Sequence, residues 1–173
     1  MEYPFCHGTY ILFLRVNHVF TTQVGALGWI DFKSGVYAYV GSAFGPGGLR
    51  ARLGHHLSPG HKNHWHIDYL SQKANLFEIW YTCDPARREH EWAGIFTRLP
   101  GVSSPFSGFG SSDCLCRTHL FFMFIIPRTN DFYERLHKRY PGHEPIMRLL
   151  PESLIPIEPE SEYNSGSGYD DLY

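Results

Sequence analysis

The sequence predicts an α/β fold of the α+β kind: a small three-stranded, mainly antiparallel sheet flanked by helices, with an extra strand and helix on the C-terminal side. Three observations carry this. Two strand patterns, at residues 8–16 and 35–41, stand close enough to pair antiparallel. Helical spacing follows the second of these strands and a third one further on. The chain is 43% hydrophobic and 16% aromatic over 173 residues, long enough to bury a core of this size.

Residues 8–16 are rich in Tyr, Ile, Leu and Phe, the composition of a buried strand. Residues 19–30 read as a connection or short hairpin arm turning at Gly25 and Gly28. Residues 35–41, Gly-Val-Tyr-Ala-Tyr-Val-Gly, alternate β-branched and aromatic side chains and read as the antiparallel partner of the first strand. A Gly/Pro loop over 42–48 leads to a helix over 49–57, with Leu49, Leu53 and Leu57 at helical spacing and Arg52 and His56 together on a neighbouring face. A short helix over 67–74 precedes the third strand, 76–82. Residues 87–99 form a helix with a stripe of Trp92, Ile95, Phe96 and Leu99, stopped by Pro100-Gly101. Residues 119–127 read as the last strand. The helix over 130–140 has Asp131 near its start and Lys138 and Arg139 near its end, as the helix dipole prefers.

The predicted organisation is a domain over 1–127, a helical extension over 128–150 and an acidic tail over 151–173 that is disordered from 161 onward. The tail holds six acids and no Lys or Arg. Residues 1–150 therefore carry 15 basic against 11 acidic residues, a formal +4 that permits contact with a phosphate backbone without demanding it. The longest apolar run, 120–126, is far too short to span a bilayer, and the first residues lack the order of a signal peptide. The expectation is a soluble, cytoplasmic protein with no membrane partner. Four cysteines are too few for a disulfide scaffold at this length, so reduced thiols or a metal site are expected.

Two short strings stand out: Gly8-Thr9-Tyr10 and, twenty-nine positions on, Tyr39-Val40-Gly41. Arg52 follows after thirteen more, and Glu89 falls early in the helix after the third strand. Tyr10 and Tyr39 on adjacent antiparallel strands can share one face of the sheet. Taken singly, each has an ordinary reading: sheet aromatics, a solvated arginine, an acid favourable in a first helical turn.

In this order and spacing the strings resemble the GIY-YIG nuclease superfamily over residues 7–100. Further strings, Tyr37 to Ala43, Lys62 to Leu70 (Lys-Asn-His-Trp-His-Ile-Asp-Tyr-Leu) and Gly108 to His119, resemble the little-characterised branch also found fused to endonuclease III-like proteins. The resemblance implies a divalent-metal-dependent endonuclease that hydrolyses DNA in repair or recombination, with DNA and other DNA-repair proteins as partners. It makes Tyr10 a general base or water-positioning group and places Tyr39 on the phosphate or the water. Arg52 stabilises the transition state, His56 lies one turn beyond it, and Glu89 is the ligand to Mg²⁺ or Mn²⁺. Gly41, Ser42, Arg50, His64 and His66 are the expected substrate contacts. Glu91, about 200° around the helix from Glu89, is not expected at the same ion. The alternative is a catalytically silent nucleic-acid- or partner-binding module on the same scaffold.

Five histidines, His55, His56, His61, His64 and His66, fall within twelve residues and read as a polar surface beside the cleft, with Asp68 and Tyr69 placed to orient His64 and His66. Cys114, Cys116 and His119 form Cys-x-Cys-x-x-His, three zinc-type ligands of the four a structural site needs. Cys83, Cys6 or Asp113 is the expected fourth. A zinc-stabilised adaptor built on these residues is a third reading.

Overall fold

Five strands form one antiparallel sheet in the computed structural model, which describes residues 4–58, 60 and 62–151. In chain order the elements are β1 (Thr9–Val16), β2 (Phe20–Gln23), β3 (Trp29–Phe32), β4 (Gly35–Ser42), α1 (Gly48–Leu57), α2 (His66–Ser71), β5 (Asn75–Thr82), α3 (Glu89–Phe96), β6 (Leu120–Met123), α4 (Thr129–Arg139) and β7 (Met147–Leu149). The sheet order is β6-β4-β1-β5-β7, and β2 and β3 pair as a separate hairpin. No helix among the described residues is long and apolar enough to cross a membrane.

The centre of the sheet is β1, which is buried on both faces because its side chains feed two cores. Tyr10, Leu12 and Leu14 point to one, with Leu49 and Leu53 of α1, Ile67 and Leu70 of α2 and Ile30 and Phe32 of β3. Ile11 and Phe13 point to the other, with Trp92, Ala93 and Phe96 of α3 and Phe132 and Leu136 of α4. Alternation at period two thus gives a helical layer on each side.

The mixed α+β class holds, but the sheet is larger than predicted from sequence. Residues 147–149, which the sequence places at the end of a helical extension, instead pair as a strand with Ile79–Tyr81 of β5, and Arg148 Nε donates to Glu78 Oε1 at 2.6 Å. With Phe132 and Leu136 in the second core, the 128–150 segment is built into the same sheet and core as the residues before it. The last predicted strand is shorter than 119–127. Leu120 to Met123 pair with Tyr39 to Val36 of β4, and the apolar Phe124 and Ile125 beyond are exposed. The 19–30 connection is a true hairpin arm, β2 and β3 around a 3₁₀ turn at Gly25–Leu27.

One cysteine expectation fails. Cys6 and Cys83 form a disulfide between the segments flanking β1 and β5, while Cys114 and Cys116 are free. Residues 152–173, which contain nearly all of the predicted acidic tail, and His61 lie outside the described residues.

Candidate active site and metal-ligating cluster

The strand register brings the chemistry to one end of the sheet. Tyr10 near the start of β1 sits opposite Gly41 near the end of β4 and Tyr81 near the end of β5. The loops that leave β4 and β5 lead to α1 and α3, and β6 begins opposite Tyr39. Here a cleft of about 390 Å³ opens, lined by Tyr10, Tyr39, Arg52 and Glu89 among others. Ser42, His64 and His66 also line it, whereas Gly41 and Arg50 do not. Arg50 is exposed, its guanidinium 6.0 Å from the Phe5 ring. Gly41 has a packing role: a Cβ there would lie 2.3 Å from Tyr10 Cζ, so the missing side chain is the space the Tyr10 ring occupies.

Behind the cleft lies a buried chain of polar groups. Tyr10 Oη and His56 Nε2 are 3.0 Å apart, and His56 Nδ1 lies 3.7 Å from Asp68 Oδ1. His55 Nε2 also approaches both oxygens of Asp68, at 3.2 and 3.3 Å. Asp68 is inaccessible to solvent, and its Oδ2 accepts the backbone N–H groups of His64 (2.8 Å) and Trp65 (2.9 Å) at the start of α2. Asp68 therefore orients His55 and His56, and of His64 it holds the backbone, not the imidazole. Burial pushes its carboxyl up, but the nearby His56 imidazole, the two backbone N–H groups and His55 outweigh burial and hold it below the usual carboxylate range. Burial lowers His56 below an ordinary imidazole and raises both Tyr10 and Tyr39, so at neutral pH the histidine and both phenols are uncharged.

Arg52 is held differently. Its guanidinium carbon lies 3.9 Å from the centre of the Trp65 ring, a cation–π platform that keeps it on the cleft wall. Among the described residues no carboxylate lies within ion-pair range of it. Glu91 turns toward Arg88 Nη1 at 3.6 Å and is absent from the cleft lining.

Arg87, Gly110, Ser112 and Asp113 also line the wall, and sequence spacing alone does not mark them as cleft residues. The clue to Gly110 is the Gly-Phe-Gly string. It has φ +71°, a Cβ on it would meet Tyr39 Cε2 at 2.6 Å, and its N–H donates to His66 Nδ1 at 3.2 Å. Buried Ser42 Oγ has no hydrogen-bond partner among the described residues, an unused polar group on the same wall.

Beside the cleft is a second grouping. The ligand atoms of His90, Cys114, Cys116 and His119 all lie within 4.8 Å of one another, a set that can hold a metal ion. The disulfide removes Cys6 and Cys83 as the expected fourth donor, and Asp113 stands on the cleft wall, so the fourth residue is His90 of α3. Burial, then the neighbouring Cys114, raises the Cys116 thiol to about 11. His55, His56 and Asp68 form the other such grouping among the described residues, but there Nε2 of His56 is already engaged by Tyr10.

No curated protein and no solved structure matches this chain. A family model does match, over residues 9–141, from the first strand through the helix α4. This chain belongs to that family, described as the domain of unknown function DUF123.

Proposed function

We propose that this protein is a divalent-metal-dependent endonuclease that hydrolyses DNA phosphodiester bonds, in DNA repair or recombination. The observation that carries this reading is that Tyr10, Tyr39, Arg52 and Glu89, from β1, β4, α1 and α3, line one open cleft. The adjacency of β4, β1 and β5, with Tyr39 on β4 and Tyr10 on β1, supports this reading.

Glu89 suits a hard divalent ion. Its carboxylate is partly exposed on the cleft wall, and Mg²⁺ or Mn²⁺ asks for only one or two carboxylates, with water and phosphate oxygens completing the shell. Asp113 stands on the same wall. When bound, such an ion supplies charge neutralisation at the phosphate and the leaving oxygen. Arg52, with no carboxylate partner among the described residues and braced on Trp65, meets the charge that builds on phosphorus-bound oxygens. Ser42, His64, His66 and Arg87 offer further contacts to a phosphate backbone.

Tyr10 is the base through its neighbour. A neutral phenol is a poor base alone, but its own proton can pass to His56 Nε2, 3.0 Å away, as it takes one from water. His56 is neutral and able to accept, and the Asp68 carboxylate stabilises the imidazolium that forms. Tyr39 lies beside this pair and positions the water or the phosphate.

The test is incubation of the purified protein with supercoiled plasmid and branched DNAs, with Mg²⁺, Mn²⁺ or EDTA, beside Arg52→Ala and Glu89→Ala. The expected result is metal-dependent nicking that falls by roughly 10² to 10³ in Arg52→Ala and is lost in Glu89→Ala, with DNA binding retained. Absence of cleavage on every substrate, or equal cleavage by both variants, would favour the binding-module reading.

A further inference from the structure

We propose that His90, Cys114, Cys116 and His119 form a four-coordinate zinc centre, and that His119 links this centre to Glu89 and so positions it. The second half rests on the nuclease reading of Glu89; the first half does not.

The geometry suits zinc. Zn–S bonds of about 2.3 Å and Zn–N bonds of about 2.0–2.1 Å place the corners of a tetrahedron roughly 3.3–3.8 Å apart. Here His90 Nδ1 lies 3.2 Å from Cys116 Sγ, Cys114 Sγ lies 3.5 Å from His119 Nε2, and all four ligand atoms fall within 4.8 Å of one another. Two sulfurs and two imidazoles select a borderline-soft ion over Mg²⁺, and four protein ligands close the shell as a structural site does. The donors come from two elements, a loop and the first turn of α3, so an ion there staples them together.

His119 is what makes the centre more than a staple. It is 1% exposed, and its two ring nitrogens face different groups: Nε2 faces Cys114, and Nδ1 lies 3.0 Å from Glu89 Oε1. That contact has ion-pair distance but not the alignment of a hydrogen bond, and Nδ1 has no other partner among the described residues. A ligating histidine usually presents its second N–H to a carboxylate, which fixes the ring and its tautomer. Metal at Nε2 would fix the proton on Nδ1, facing Glu89. The His119 backbone is itself pinned, donating N–H to Phe109 O at 2.8 Å and accepting from Val40 N–H at 2.9 Å, next to Tyr39. The cleft glutamate would thus be held on two sides, by His90 next to it in sequence and by His119 across from it.

The experiment is elemental analysis of the full chain purified without chelator, then cobalt substitution read by its absorption. About one zinc per chain is expected, with cobalt giving the thiolate charge-transfer and tetrahedral bands. Cys114→Ser with Cys116→Ser should abolish both, and His90→Ala should weaken zinc binding at least tenfold while His90→Cys restores it. Glu89→Gln should keep zinc at full occupancy but bind it about tenfold more weakly, as loss of a carboxylate behind a ligating histidine does. Circular dichroism separates loss of metal from loss of fold, and the Glu89 and His90→Cys variants remain informative if the cysteine variant unfolds. If zinc removal from folded protein raises the Mg²⁺ concentration needed for cleavage, the positioning role stands. Protein that neither carries nor takes up zinc overturns the centre. Identical zinc affinity in His90→Ala overturns His90 as the fourth ligand, and unchanged affinity in Glu89→Gln overturns the link. Zinc-loaded protein that cuts no DNA would overturn the nuclease reading alone.

Discussion

Replacing Asp68 by asparagine should cost stability and activity for separable reasons. Asn keeps one acceptor, so the amide oxygen can still take the His64 and Trp65 N–H groups, now at 2.8 and 2.9 Å from Asp68 Oδ2. The NH₂ group must then occupy the Oδ1 position, facing His55 Nε2 and His56 Nδ1. A bond to a charged partner contributes about 1.5–3 kcal/mol against about 0.5–1.5 for a neutral one, so removing the charge from the two backbone bonds costs about 2 kcal/mol. At this chain length that is a fall in Tm of roughly 4–8 °C. The amide also presents a donor to His56 Nδ1, which drives the proton to Nε2 and forces Tyr10 to donate elsewhere, so the predicted loss of cleavage is about 10²-fold. The sign with pH follows from the depressed carboxyl of Asp68. Its stabilisation is fully present above the unfolded value of about 3.9 and is lost as pH falls through the folded one. The Tm gap between wild type and Asp68→Asn, measured calorimetrically from pH 7.5 downward, should therefore narrow below about pH 4 as wild type loses what the variant lacks. Equal Tm values at pH 7.5, or a gap that persists undiminished in acid, would refute this account of Asp68.

Gly41→Ala puts a methyl 2.3 Å from Tyr10 Cζ and 2.4 Å from Tyr10 Oη. It should cost about 1–3 kcal/mol by overpacking and lower cleavage to the level of Tyr10→Phe, and unchanged melting would sink that reading. Burial holds His56 below the ordinary imidazole value, so cleavage should hold as pH drops through 6.5 and fail only below it, where His56 takes up a proton and can no longer accept one. An acid limb in kcat/KM centred at or above 6.5 would contradict this. Closing a loop across the 77-residue separation of Cys6 and Cys83 restricts the unfolded chain by about 4.5 kcal/mol in the chain-entropy treatment, so Cys6→Ser should melt well below wild type. Thiol titration of unreduced protein, unfolded with chelator present, should find two of the four cysteines, and finding all four would remove the bond.

Strands and helices with strong periodicity were legible in the sequence. The alternation of 35–41 and the leucines of 49–57 place β4 and α1, and Trp92 and Phe96 place α3. What pattern could not supply was pairing over long separations. Met147, Arg148 and Leu149 alternate over only three residues, too short a run to mark a strand, and they become one because β5 has an open edge beside them. Asp68 reads in the sequence as placed to orient its near neighbours His64 and His66, whereas the imidazoles it meets, His55 and His56, come from α1, thirteen and twelve positions back. Local spacing found Cys114, Cys116 and His119 as a set, but His90 is a helix residue 24 positions before the first of them, and nothing in its neighbourhood distinguishes it from a solvated histidine. The cysteines misled for the same reason: Cys6 and Cys83 are brought together by β1 pairing with β5, a fact of topology.

The adjacency of Glu89 and His90 gives α3 its place in the proposal. Consecutive residues on a helix point about 100° apart, so two neighbours can serve two sites that a single turn lies between. Glu89 reaches the cleft and touches His119, and His90 reaches Cys116. The proposed hard-ion ligand and soft-ion ligand would therefore share one turn of backbone, and that turn is anchored behind by Trp92, buried with Phe132 and donating Nε1–H to His143 Nε2 at 2.8 Å. Rigid support on that scale is what a carboxylate needs to hold an ion in line with a phosphate, since displacement of about 1 Å at such a site can cost on the order of 10²-fold in rate. If the nuclease reading is right, cleavage should be sensitive to substitutions at His143 that leave the cleft untouched. His143→Leu, which removes the acceptor for Trp92, should lower kcat more than DNA affinity. An equal loss in both would place His143 in general folding instead.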